Sequence, residues 1–317
     1  MGKMKLELQF KMAADMRFRE HIDKHALKRA GQLQDCAFIY SYAMYHNLLD
    51  FSDSFCNWLR EKGRQHRLLK DIPAEAWNDF LEDKSAKVGL ITLKNYKSRI
   101  NTWEKVINAA FKTKLDWSQH LILPHKLNQE ETEIKRIQQM QREDFNKIMS
   151  HITRTKSRSR AITALELSAR FGLRVEGTSR IRPTNIHLDT PGLWGYGTID
   201  ITEKGNRRRI IDIKTQADRE FLKSLIQGKP PDTPLVLIQK DSVNKYLNRT
   251  MTAIGIKERY PETSIHSIRK MYAQETWDNC RRQGHSWDEA LRYVNRQLGH
   301  GEERNKALLG VYVKEMW

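Results

Sequence analysis

His266 and Arg269, three positions apart in Ile265-His266-Ser267-Ile268-Arg269, are the residues whose types and spacing set the chemical reading of the chain. On a helix both side chains leave from one face. Downstream stand Gln297-Leu298-Gly299-His300 and then an apolar run, Ala307 to Val313, that contains Tyr312. A cationic fork, two imidazoles and a phenol converging from one domain suit work on a phosphodiester. Guanidinium groups neutralise charge on a transferring phosphoryl group. Imidazoles move or share protons, and a phenol oxygen can attack phosphorus to form a covalent ester.

The composition agrees with an anionic substrate. The chain has 317 residues, with 56 Lys and Arg against 39 Asp and Glu and a formal charge of +17. Its pI is near 9.7. That length predicts two domains, each able to bury a core. The charge says nothing of fold, but it favours a polyanionic partner, because each phosphate neutralised releases counterions. The sequence carries no long apolar span and no basic amphipathic anchor, so nucleic acid is preferred to a membrane surface. No signal peptide is read at Met1-Gly2-Lys3-Met4. Cys36, Cys56 and Cys280 are widely spaced and odd in number, which reads as reduced thiols in the cytoplasm. No HExxH or CxxC occurs, and carboxylates do not cluster with the histidines, so no metal is expected.

Positioning these groups requires a mainly helical chain with one small antiparallel hairpin. The first 30 or so residues hold a weak helical pattern between Ala13 and Gly31. Ala37, Phe38, Tyr40, Ala43 and Met44 repeat at helical spacing, with a break expected at Asp50-Phe51-Ser52. Further helices are expected through Phe55, Trp58 and Leu59 to Gly63, from Pro73 past Trp77 and Phe80, and from Thr92 to Phe111. Trp58, Trp77 and Trp103 read as core, and Lys94, Lys97 and Arg99 as a solvated or phosphate-facing surface. Residues 1–125 thus form a helical domain, the charged stretch 126–140 a linker, and 141–317 a second domain.

In the second domain a helix from Phe145 precedes a basic run, Arg154 to Arg160. An apolar helix, Ala161 to Ala169, is broken at Phe171-Gly172-Leu173-Arg174, and a short helix stops before Pro183. The period then turns strand-like. Gly195 to Ile201 and Arg208 to Ile213 flank a turn with Lys204 at its tip. Helices resume at Gln216.

Taken in order, Gly172-Leu173-Arg174, the hairpin Lys204, His266-Ser267-Ile268-Arg269, Leu298-Gly299-His300 and Tyr312 resemble the catalytic domain of the tyrosine recombinases, the phage-integrase superfamily. The resemblance covers about residues 140–317, and the N-terminal helices are compatible with that family's core-binding domain by class and position. It implies that Tyr312 is the nucleophile, forming a 3′-phosphotyrosyl bond and releasing a 5′-hydroxyl. Arg174 and Arg269 would hold the non-bridging oxygens. His266 would exchange the phenolic proton or bond the phosphate, His300 would donate a further hydrogen bond, and Lys204 would protonate the departing oxygen. No cofactor is implied. The partners implied are double-stranded recombination sites, a homo-tetramer on DNA and accessory DNA-bending proteins, in a cytoplasmic, nucleoid-bound setting.

The chain also departs from the family. Three positions after Arg174, where the family usually has an acidic residue, stands Gly177, with Glu176 beside it. Thr184-Asn185 replaces a common Asp, Lys270 replaces a second His, and the spacing from His300 to Tyr312 is a little long. Only Val313 to Trp317 follows the tyrosine, little for a helix donated to a neighbour. The sequence is thus read as a site-specific recombinase of a mobile element. The alternatives are a type IB topoisomerase or telomere resolvase, and a non-catalytic DNA-binding regulator. Tyr293 is the alternative nucleophile.

Overall fold

The computed structural model describes residues 4–20, 22, 27, 30–31, 37–124, 138–154, 159–203, 207–300 and 311–313. The chain divides into two compact units, Met1–Ile134 and Lys135–Trp317. Most of the expected linker 126–140, and the tip of the hairpin with Lys204, lie outside the described residues.

The first unit is helical: α1 (Leu6–Arg17), α2 (Tyr42–Glu61), α3 (Ala74–Ser85), α4 (Leu90–Phe111) and the single turn α5 (Trp117–His120). Two expectations fail here. The first helix begins at Leu6 rather than near Ala13, because Phe10, Ala13 and Ala14 share one buried face. The break at Asp50-Phe51-Ser52 does not occur. Phe51 points into the core while the Ser52 hydroxyl donates to the Leu49 carbonyl, so α2 runs through unbroken. Ala37, in a turn, and Phe38 precede that helix, next to Ile39, which forms an isolated bridge with Phe18. Trp58, Trp77 and Trp103 are buried. The ring of Phe55 stacks on Trp77 with centroids 3.5 Å apart. Lys97 is partly engaged at home, its Nζ donating to the Leu121 carbonyl at 3.0 Å.

The second unit holds α6 (Arg142–Arg154), α7 (Arg160–Phe171), the one-turn α8 (Val175–Thr178), strands β1 (Ile186–His187), β2 (Thr198–Glu203) and β3 (Arg207–Asp212), then α9 (Gln216–Ile226), α10 (Lys240–Ala253), α11 (Ile265–Arg282) and α12 (Trp287–Leu298). The sheet is antiparallel in the order β1-β2-β3, with Ile199 opposite Ile211 and Ile201 opposite Arg209. The hairpin is as read from the alternation, and the short β1 is an addition too brief to leave a periodic trace. Ile199 and Ile201 join a core that includes Leu165, Leu173, Ile211, Leu247 and Ile268. No described helix is long and apolar enough to cross a membrane.

Candidate active site

Two helices of the second unit end on glycines in the left-handed conformation, and both ends face the same guanidinium groups. Gly172 closes α7 at φ +60° and Gly299 closes α12 at φ +65°. A Cβ on Gly172 would lie 2.4 Å from Cδ1 of Tyr272, and one on Gly299 would lie 2.9 Å from Cδ of Arg209. Both positions therefore need glycine for close approach as well as for φ. The helix ends present carbonyl oxygens, where partial negative charge collects. Arg269, 1 % exposed on α11, donates to the carbonyls of Gly172 and Leu298. Arg209, buried on β3, donates to Gln297 O at 2.5 Å and to Gly172 O at 3.2 Å.

One carboxylate serves this cluster. Glu203, the last residue of β2, is 2 % exposed. Its Oε1 accepts from the Arg174 backbone N–H at 3.0 Å, and its Oε2 pairs with the Arg174 guanidinium. Arg209 Nε lies 3.3 Å from the same carboxylate. Burial alone would push the Glu203 carboxyl up, but Arg209, Arg269 and Arg174 outweigh it and hold the group below its ordinary range. Burial, with Arg269 next in weight, brings Arg209 down to about 9. Among the described residues three arginines surround this one carboxylate, an excess of positive charge that attracts an anion.

Tyr312 lies against this cluster. Its Oη is 3.2 Å from Nε2 of His266, and its ring centroid is 5.3 Å from those of His266 and His300. Arg269 Cζ lies 6.0 Å from the phenol ring. His266 sits in the first turn of α11, capped by Ser264, and Arg269 follows on the same face. His300 follows Gly299 directly, its N–H returning to the Asn295 carbonyl at 2.9 Å. Burial first, then Arg269, Lys270, Arg174 and Lys240, push His266 down to about 4, so its imidazole is neutral near pH 7. In the tautomer with the proton on Nδ1, Nε2 offers a lone pair to the phenol.

The structure thus brings together Arg174, His266, Arg269, His300 and Tyr312 in one place. Lys204 falls outside the described residues. Tyr293 is elsewhere engaged: its hydroxyl accepts from Trp194 Nε1 at 2.6 Å, and burial pushes its pKa up. Asn185 caps a 3-10 turn by accepting from the Arg182 N–H at 2.8 Å. Two members of the cluster, Glu203 and Arg209, were not anticipated. A signal for them exists in the alternation of β2, where Ile199, Ile201 and Glu203 fall on one face. A carboxylate at the third core-facing position requires a cation beside it. Among the described residues no group of three or more His, Cys, Asp and Glu side chains is placed to hold a metal ion.

No protein-family model matches the chain, and no curated protein sequence does either. Solved structures do. A lambda integrase dimer bound to a COC′ core site is similar with a TM-score of 0.59 at 14% identity, over 93% of this chain and 79% of that one. The XerH site-specific recombinase bound to palindromic difH substrate, a post-cleavage complex, gives 0.56 at 18% identity, over 84% and 73%. The Tn1549 transposon integrase in complex with circular intermediate DNA gives 0.53 at 12%, over 96% and 94%. The chain has the tyrosine recombinase fold.

Proposed function

We propose that the chain is a site-specific DNA recombinase of a mobile element that cuts and rejoins DNA through a 3′-phosphotyrosine. The observation that carries this reading is the Tyr312 hydroxyl set 3.2 Å from a neutral imidazole and against a cluster of three arginines. In this reading residues 141–317 are the catalytic domain and residues 1–125 a helical DNA-binding domain, and the formal charge of +17 supplies counterion-release affinity. The fold shared with integrases solved on DNA supports the same partner.

The chemistry is the one that the resemblance to the tyrosine recombinases implies for these residues. Tyr312 Oη attacks phosphorus while His266 Nε2 receives its proton. The bond from phosphorus to the 5′-oxygen breaks, and Lys204 protonates the leaving oxygen. Arg174 and Arg269 bear the extra charge of the pentavalent transition state, with His300 donating a further hydrogen bond. The phosphotyrosyl ester keeps the bond energy, and attack by another 5′-hydroxyl reverses the steps without ATP. Four subunits exchanging strands in sequence, on sites shaped by bending proteins, complete the reaction.

The test is a nicked suicide duplex carrying the ends of the element that encodes the chain. A covalent adduct with the wild type, lost in Tyr312→Phe, is the expected result. Absence of any adduct would favour a DNA-binding regulator, and relaxation of plasmids lacking paired sites would favour a topoisomerase.

A further inference from the structure

Arg174 meets a carboxylate that arrives from a distant element. Its helix, α8, carries Gly177 at the position facing Glu203, and Gly177 is buried. A Cβ built on Gly177 would lie 2.3 Å from Oε1 of Glu203 and 3.1 Å from its Cδ. Contacts this short do not occur between real atoms, so any side chain at 177 and the carboxylate of Glu203 compete for one space. That space borders both the backbone N–H and the guanidinium of Arg174.

We propose that Glu203 is the positioning residue for Arg174, and that Gly177 is its complement, the missing side chain that lets a carboxylate enter from the hairpin instead of from the helix. The inference rests on the recombinase reading for its catalytic consequence only. Glu203 fixes Arg174 at two points, one on the backbone and one on the fork, which sets the direction of the free guanidinium edge. It also ties the end of β2 to the arginine cluster immediately before Lys204 in the chain. Arg209 completes the arrangement from β3, on the opposite arm of the same hairpin.

The experiment compares five proteins: wild type, Glu203→Ala, Gly177→Asp, those two changes together, and Glu203→Gln. Each is melted, and each is assayed for adduct formation on the nicked duplex at saturating DNA. Each single change should lower the melting temperature and slow cleavage by about 10–100-fold. The double variant, which offers a carboxylate from α8 to the vacated space, should melt above both singles and recover at least about a tenfold share of cleavage relative to Glu203→Ala. Glu203→Gln, which keeps shape and removes charge, should slow cleavage at saturation and leave the DNA dissociation constant within about threefold. A folded double variant no better than Glu203→Ala in either measurement overturns the pairing, as does wild-type cleavage by Glu203→Gln. If the wild type itself forms no adduct, the recombinase reading fails. The melts of wild type, the two single variants and the double variant then decide the exchange of carboxylate by themselves.

Discussion

Arg209 and Arg269 donate to the same acceptor, the carbonyl oxygen of Gly172. One guanidinium comes from the hairpin and the other from α11, and the shared oxygen is the last backbone acceptor of α7 before Arg174. Arg209 and Arg269 are thus held at helix ends, and of the three arginines Arg174, with 23 % of its side chain exposed, is the most accessible.

This division of labour separates two arginine variants. Arg174→Ala should weaken DNA binding and reduce the salt dependence of log K by about one unit of slope. Arg209→Ala should leave that slope unchanged and cost about 3–5 kcal/mol of stability, because Glu203 and two carbonyls lose a buried cation. Equal salt slopes for the two variants in fluorescence titrations would contradict the assignment.

Gly172→Ala combines a backbone penalty at φ +60° with a Cβ 2.4 Å from the Tyr272 ring. Strain and overpacking together should destabilise the chain by about 2–4 kcal/mol, read by urea denaturation. A change under roughly 1 kcal/mol, the cost of the left-handed backbone alone, would mean that Tyr272 moves aside freely.

His266 makes acid sensitivity predictable in sign. Its folded pKa of about 4 lies below the ordinary 6.5 of the unfolded chain. Between those values the unfolded state binds the extra proton, so stability falls as the pH drops from 6.5 toward 4 and is level with respect to this group above 6.5. The slope due to His266 approaches about 1 kcal/mol per pH unit. Denaturation curves of wild type and His266→Gln at pH 7, 5.5 and 4.5 should converge at the acid end, and parallel losses would contradict the burial of a neutral ring.

Tyr312 lies 3.2 Å from the His266 of its own chain, which predicts cleavage in cis. Mixing Tyr312→Phe with Arg269→Ala should then yield no adduct, since neither subunit holds a complete site. An adduct appearing only in the mixture would show the tyrosine crossing between subunits.

How much of this was legible in the residues differs by element. The Leu90–Phe111 helix and the β2–β3 hairpin are written as 3.6- and 2-residue periods, since burial of one face imposes the pattern locally. Gly172 and Gly299 are legible as helix stops, because backbone conformation at a cap is a property of neighbouring residues. His266 and Arg269 share a helix, so their common face follows from spacing alone. Asp50 and Ser52 misled, since a buried Phe51 outweighs the weak helix propensity of its neighbours.

Local order thus determined the helical class, the hairpin and the candidates on their elements, because short-range periodicity and capping need no distant partner. Only the tertiary structure decided that Glu203 fills the space beside Gly177, and that Arg174, Arg209 and Arg269 meet around it. Those contacts join α8, β2, β3 and α11, and no sequence spacing encodes a distance across four elements. The physical reason is that a buried charge must find its counter-charge wherever packing brings one within reach.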